Sequence, residues 1–461
     1  LIKEWRKGYG SLLQAARKDS RSSFRSVGYK EAVTPTIFNL KYDIVGFASV
    51  SMMVIIYRAF LELIYQGYIA DKWSYYNFQN NTSPELCIVS WVALVVTLPL
   101  LFDLVTNQRK SSPLVIVLYL AAFVPSLVML EKQDASYLFI ILLFIYWAVL
   151  ILAYYALPSF SFAKPKSRTG RNVTVALTVI FVGVVLIVWA VYANFRLMTE
   201  FVFVYDVRRE SLTYSIPTIL DYLLEMSRLV IPCLACYYLS KKNYRVFILL
   251  LLVQYFNFCI DGLKTSLYAM AVAVVCYLAY SEDFRRKVIY LFAGVTAVAY
   301  LIAVVFNDEA IIEVVIRRVL LMPAMLNQQF FEFFTSNPPD FFAQSFMRYF
   351  GLTSPYDRSI PLLIGESLGH PEMWANNGLL SDAMQNLGIL GVFVMPWLVV
   401  LVLRLYEAAI DEENERIAVS VLVGGSMMLI GSGLFPFLVT HGFLAACLTL
   451  RFLPAGLDDL G

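Results

Sequence analysis

Cations placed beside apolar runs are the residues of this chain best suited to chemistry. Arg208, Arg209, Lys264, Arg317 and Arg318 lie in or at the ends of connections between apolar stretches, on the side expected to be poor in Lys/Arg, and Arg228 falls inside such a stretch. A guanidinium is a planar, permanently charged fork that matches phosphate oxygens, while a lysine ammonium acts as a point charge. Drawn together, these groups would form a basic pocket able to hold a diphosphate. Taken singly, each is equally well explained as a solvated loop charge or as the partner of Glu210, Glu225, Asp261 or Glu313; as a set they point to anion binding. A second concentration lies in residues 366–385, where Glu366, His370, Glu372, Trp374, Asn376, Asn377, Asp382 and Gln385 fall close together. One histidine with two carboxylates has a divalent ion's chemistry, but the spacing fits no ligand motif, so neither a metal site nor a cofactor is expected. His441 reads as a packed or capping histidine. The pair Cys233 and Cys236 sits inside an apolar run without a second pair, so packing is the expectation for it.

The elements that must position these groups are membrane helices. Of the 461 residues, 59% are hydrophobic and 15% charged, against roughly 25% charged in soluble domains. A net charge of +2 gives no reason to expect nucleic acid as a partner. A bilayer core is crossed by about 20 apolar residues of helix. Twelve stretches fit that ruler: 44–64, 87–105, 113–130, 137–157, 173–195, 221–239, 244–260, 265–281, 288–306, 387–405, 417–434 and 436–453. The expected fold is therefore an all-α polytopic bundle of about twelve transmembrane helices. It divides into a basic N-terminal segment (1–43), a bundle of about nine helices (44–306), a large external loop (307–386) and C-terminal helices (387–461). No cleavable leader is visible, so the first span is expected to act as its own signal anchor.

Charge sets the expected orientation. Residues 1–43 carry nine Lys/Arg, and the basic runs ending at 110, 171, 245 and 287 alternate onto the same side. Lysine and arginine mark the cytoplasmic face, so both termini are expected inside and the 307–386 loop outside. Arg58, in the first span, is expected to snorkel or to serve a cavity. In the loop, residues 310–334 have helical periodicity, with Pro323 expected to break them in two. Its phenylalanines suit either the membrane interface or the loop's own core. Residues 374–391, "WANNGLLSDAMQNLGILG", read as one helix running into a span. Gly378, Asp382, Gln385 and Gly388–Gly391 share one face, expected to line a cavity, with Asn376 or Asn377 as N-cap.

The stretch "YFGLTSPYDRSIPLLIGESLGHPEMWANNGLLSDAMQNLGILG" resembles the bacterial O-antigen and capsule polymerases, the Wzy-type repeat-unit polymerases. The matching residues are Ile364-Gly365, Ala375-Asn376, Gly378, Asp382 and Gly388-Ile389-Leu390-Gly391. Gly262, Lys264 and Thr265 in "DGLKTSLY" are similar to a second family feature, and Arg317 or Arg318 before Pro323 and an aromatic helix to a third. These features cover residues 261 to 391. The resemblance implies a glycosyltransferase of the C superfamily in the inner membrane, with its site facing the periplasm. It implies polyprenyl-diphosphate-linked oligosaccharide as substrate, and a flippase and a chain-length regulator as partners. In that reading Arg317 and Arg318, then Arg208, Arg209, Lys264 and Arg228, stabilise the departing diphosphate. The base that activates the attacking hydroxyl is drawn from Glu366, His370 and Asp382. Asn376 and Asn377 hydrogen-bond sugar hydroxyls, while Trp374, Tyr349 and Tyr356 stack on sugar faces. The related O-antigen ligases carry a histidine where this chain has Asn376-Asn377. That difference favours the polymerase, and His370 keeps the ligase as the alternative. A flippase or transporter of lipid-linked sugars is the competing class. It would be expected to show an inverted repeat, which the sequence lacks.

Overall fold

The computed structural model describes residues 43–107, 109–163, 165–200 and 203–454. The basic residues 1–42 that argue for an inside N-terminus lie outside the described residues. No strand occurs among the described residues. Nine of their helices are long and apolar enough to cross a bilayer. They are α1 (Ile44–Ile69), α2 (Pro84–Thr106), α3 (Ser112–Lys132), α4 (Tyr137–Ala156), α5 (Ser167–Val191), α8 (Tyr244–Asp261), α10 (Phe284–Phe306), α15 (Ile389–Ala409) and α17 (Leu434–Phe452). Three more helices occupy the other expected spans. α7 (Thr218–Ser240) carries Asp221, Glu225 and Arg228, while α9 (Lys264–Ala279) and α16 (Glu415–Ile430) have only 16 residues each. Shorter helices, α6 (Val204–Ser211), α11 (Ile312–Leu321), α12 (Met322–Ser336), α13 (Ile360–Ser367) and α14 (Leu380–Leu387), lie between them.

Local chemistry sets the helix starts. The Asp43 carboxylate accepts from Gly46 N at 2.7 Å, Ser83 Oγ from Leu86 N with Pro84 at the first helical turn, and Ser136 Oγ from Phe139 N. Each satisfies an amide that the helix leaves unpaired. α3 is apolar all round, so it belongs at the centre, and the whole of its most apolar stretch is buried. α1, α2, α4 and α10 join it in the larger core, while α5, α7 and α8 form a second one.

Several buried charges of the long helices are paired. Arg58 does not snorkel: it is 0% exposed, donating to Glu131 at 2.9 Å and to Ser90 at 2.7 Å, with Glu62 at 3.0 Å and its guanidinium 4.3 Å from the Trp91 ring centre. Lys132 also pairs with Glu131, at 3.0 Å. At the far end of the bundle, Arg404 pairs with Glu407 at 2.8 Å.

Two expectations for the loop are corrected. Residues 310–334 do not break at Pro323. A wider-wound π segment, α11, runs directly into α12 with helical backbone throughout, and Pro323 sits where the winding changes from π to α. Residues 374–391 are not one helix. α14 and α15 are separated at Gly388, whose φ of 59° and ψ of −144° suit only glycine. α15 then folds back so closely that a Cβ at Gly391 would meet Ala383 O at 2.1 Å. Nor do Asn376 and Asn377 cap α14, which is entered through Leu379 at φ 53°. Asn377 is buried instead, donating to Pro323 O at 2.8 Å and Ser381 Oγ at 2.8 Å and so tying the loop to α12. A Cβ at Gly378 would meet Leu429 O at 2.0 Å and Ser432 O at 2.3 Å, so this segment packs backbone against backbone on the end of α16.

Candidate functional site

The turn between α8 and α9 begins the site. Gly262 closes α8 with φ 66°, and a Cβ there would strike Val204 O at 2.8 Å. Glycine is therefore required twice, for the left-handed backbone and for the approach of α6. That approach sets Arg208 over the turn, its guanidinium 3.5 Å from Gly262 O, with Lys264 two residues on. Arg318, exposed on α11, lies beside the hydroxyl of Tyr205 on α6. The closeness and charge of Arg318, with the charges of Lys264 and Arg208, hold the Tyr205 hydroxyl below the ordinary phenol range. Three of the expected cations, from α6, α9 and α11, thus act on one phenol. Glu210, a possible partner for them, is taken by Arg196.

Arg317 faces differently from Arg318. It is 8% exposed, and its guanidinium lies 3.6 Å from the centre of the Trp73 ring. Its Nε and the Trp73 Nε1 are both buried without a hydrogen-bond partner among the described residues. The nearest acid along the chain, Glu313, is held by Lys72 at 2.6 Å. Burial first, then the neighbouring Arg318 charge, lowers the Arg317 pKa from its ordinary value; a guanidinium nonetheless stays charged at neutral pH. Behind Trp73 the rings continue. Tyr76 stacks on Trp73 at 6.0 Å, and His370 packs on Tyr76 at 4.5 Å. His370 Nε2 is 2.7 Å from Tyr75 O, which fixes the ring. Trp73, Tyr75 and Tyr76 were not among the residues singled out from the sequence. Their only signal there is the aromatic run "WSYY" in a short connection between apolar stretches.

The other expected site residues separate from this cluster. Arg228 is 5% exposed and bound by Glu225 and by Asp261 at 2.5 Å, so its charge is already met. Arg209 is exposed and pairs with Asp206 at 2.7 Å. Glu366 is exposed and pairs with Arg358 at 2.7 Å. Tyr356 donates to Pro338 O and packs on Phe333 and Phe334. Tyr349 is 68% exposed, with its hydroxyl 2.8 Å from Arg348. Trp374 and Asn376 are exposed. Of the loop phenylalanines, Phe330, Phe331 and Phe334 are buried in the core, Phe333 and Phe342 are half-buried, and Phe341 is 52% exposed.

Asp382 is 5% exposed and joins two elements. One oxygen accepts from Asn386 Nδ2 at 2.8 Å, and the other accepts from Leu434 N at 2.9 Å, at the first turn of α17. A carboxylate suits the positive end of a helix. Burial nevertheless pushes the Asp382 pKa up to about 6, against those two hydrogen bonds. Such a carboxyl is neutral or charged within the working range of a general base. Among the described residues no group of three or more His, Cys, Asp or Glu side chains is placed to hold a metal ion. Compared with protein-family models, curated proteins and solved structures, the chain matches none.

Proposed function

We propose that this protein polymerises polyprenyl-diphosphate-linked oligosaccharide repeat units into a surface polysaccharide at the outer face of the cytoplasmic membrane. The carrying observation is Arg317: a nearly buried guanidinium, stacked on Trp73, with no carboxylate within ion-pair distance among the described residues. Leaving a charge buried and unpaired costs several kcal/mol, and an anionic ligand would remove that cost. Arg318, Arg208 and Lys264 nearby would spread the charge of a diphosphate in the same way. A sugar hydroxyl of the incoming unit bonds to the anomeric carbon of the growing chain. The bond from that carbon to the diphosphate breaks, the hydroxyl proton passes to a base, and polyprenyl diphosphate leaves with the electron pair. Fixed guanidinium groups aimed at the developing charge favour that departure, and the Tyr75 ring, 55% exposed beside Trp73, offers a surface for a sugar face.

Transfer to a single acceptor, as in the O-antigen ligases, is the second reading. It is favoured by the position of His370 in the same ring stack as Arg317. Purified protein in detergent, given a lipid-linked repeat unit, separates the two. A ladder of products supports the polymerase. One transferred product, formed only with lipid A-core present, supports the ligase. A bound substrate that forms no bond removes both readings and leaves the transporter.

A further inference from the structure

A cavity of about 190 Å³ lies between residues 340–345 and 359–361 of the long loop, α14, and the turn that enters α17. Its volume equals roughly six waters of bulk liquid, about the bulk of one sugar ring. Two carboxylates line it, Asp382 and Asp340, the latter 1% exposed. Among the described residues neither has a cation within ion-pair distance. Each oxygen accepts from one neutral donor. Asp340 takes Ser354 Oγ at 2.5 Å and Gln344 N at 2.7 Å, matching the two bonds already given for Asp382. A carboxylate oxygen has about two acceptor sites, so both groups keep acceptor capacity, and a buried carboxylate without a cation calls for further donors. The rest of the lining includes hydroxyl and amide groups such as Ser432 and Gln385, and the Phe435 ring, itself braced by Phe342 at 5.1 Å and Phe346 at 4.3 Å.

Carboxylates, amides, hydroxyls and one ring wall together match a pyranose, which donates through its hydroxyls and packs through its C–H face. They do not match an acidic sugar, whose own carboxylate would be repelled twice. We propose that this cavity is a monosaccharide subsite that holds one neutral sugar of the glycan, with Asp340 and Asp382 accepting its hydroxyl hydrogens and Phe435 covering a ring face. The inference rests on the polysaccharide reading for the identity of its ligand, but it is a claim about binding and needs no turnover.

The test is saturation-transfer NMR on the purified full chain in detergent, with millimolar methyl glucoside, galactoside, mannoside and N-acetylglucosamine as probes and glucuronate as the acidic comparison. At least one neutral probe should receive saturation, and glucuronate should receive none. Gln385→Leu and Ser345→Phe change half-buried lining positions, and each should lower that signal roughly tenfold. Asp340→Asn keeps the shape of the wall and should lower the signal likewise, and the melting midpoint of every variant is measured beside it, so that a signal lost at an unchanged midpoint reports the subsite and not unfolding. Silence from all four neutral probes would overturn the proposal. So would a signal indifferent to the lining variants, preference for glucuronate, or dependence on added calcium. Sugar binding without chain growth would keep the subsite and sink the polymerase. Chain growth with no effect of the lining variants would do the reverse.

Discussion

Arg58 and Arg317 are both arginines laid over a tryptophan, Trp91 in one case and Trp73 in the other. Around Arg58 the charge is met by carboxylates, with Glu131, Glu62 and Ser90 on Nε and one terminal nitrogen, although the other terminal nitrogen is buried without a partner among the described residues. Around Arg317 the ring is present, but among the described residues no carboxylate forms an ion pair with it; Glu313, whose charge reaches it, is bound by Lys72. A cation on an aromatic face gains about 0.5–2 kcal/mol, less than the several kcal/mol of desolvating a charge. The first arrangement is therefore neutralised within the protein, as a structural clasp among α1, α2 and α3. The second is left short of an anion, which a ligand can supply. The same contrast separates Arg228, closed by Glu225 and Asp261, from Arg208 and Arg318, which act on a phenol.

The largest expected effect is on stability. Arg58→Ala leaves Glu131 buried beside only Lys132 and should cost about 3–5 kcal/mol, read as lost membrane yield and a lower melting midpoint. Adding Glu131→Gln should recover much of it; no recovery would mean that the pair does not act as a clasp. Arg317→Ala should behave oppositely. Product formation from a lipid-linked repeat unit should fall about a hundredfold or more, while the melting midpoint holds or rises because an unpaired charge has gone. Loss of folding in Arg317→Ala would erase the distinction between the two arginines. Next, Trp73→Leu should lower turnover roughly tenfold and Trp91→Leu should act on stability alone. Equal turnover losses from both would remove Trp73 from the site.

The smallest expected effect is the pH response of Asp382. Its carboxyl is pushed up to about 6 by burial, above the unfolded value of about 3.9. Such a group favours folding while protonated. The contribution is complete below about pH 4 and is lost as pH rises through 6. The wild-type melting midpoint should therefore drop more between pH 5 and pH 7 than that of Asp382→Asn, which has nothing there to ionise. Parallel slopes would mean that the Asp382 carboxylate is already met by a cation.

Hydropathy made the positions of the long helices legible, because about 20 apolar residues have few other uses. It did not reveal which cations are neutralised. Asp261 reaches Arg228 across 33 positions and Glu131 reaches Arg58 across 73, and no local pattern encodes such pairs. Gly388-Ile389-Leu390-Gly391 reads as helix by period. Only the approach of Gly391 to Ala383 shows why the chain turns there. Arg318, Arg208 and Lys264 were legible as a set through their placement, and Gly262, which brings two of them together, was legible as a turn residue. Asp340 carried no sequence signal beyond its two preceding prolines, and its partners Ser354 and Gln344 lie on a loop whose path is set by tertiary contacts.

The seating of Gly378 against Leu429 and Ser432, with Asp382 on Leu434, bears on how the protein is made. The ribosome delivers the long loop well before it delivers the surface on which that loop docks. While α15 and α16 are being synthesised and inserted, a glycine-faced stretch of backbone and a carboxylate wait without their partners. Function should therefore appear late and all at once during biosynthesis, after the turn into α17 has emerged. A chain released before residue 434 should carry Arg317 and its rings yet remain open to proteases in the loop, because domains whose parts arrive late stay exposed until they close.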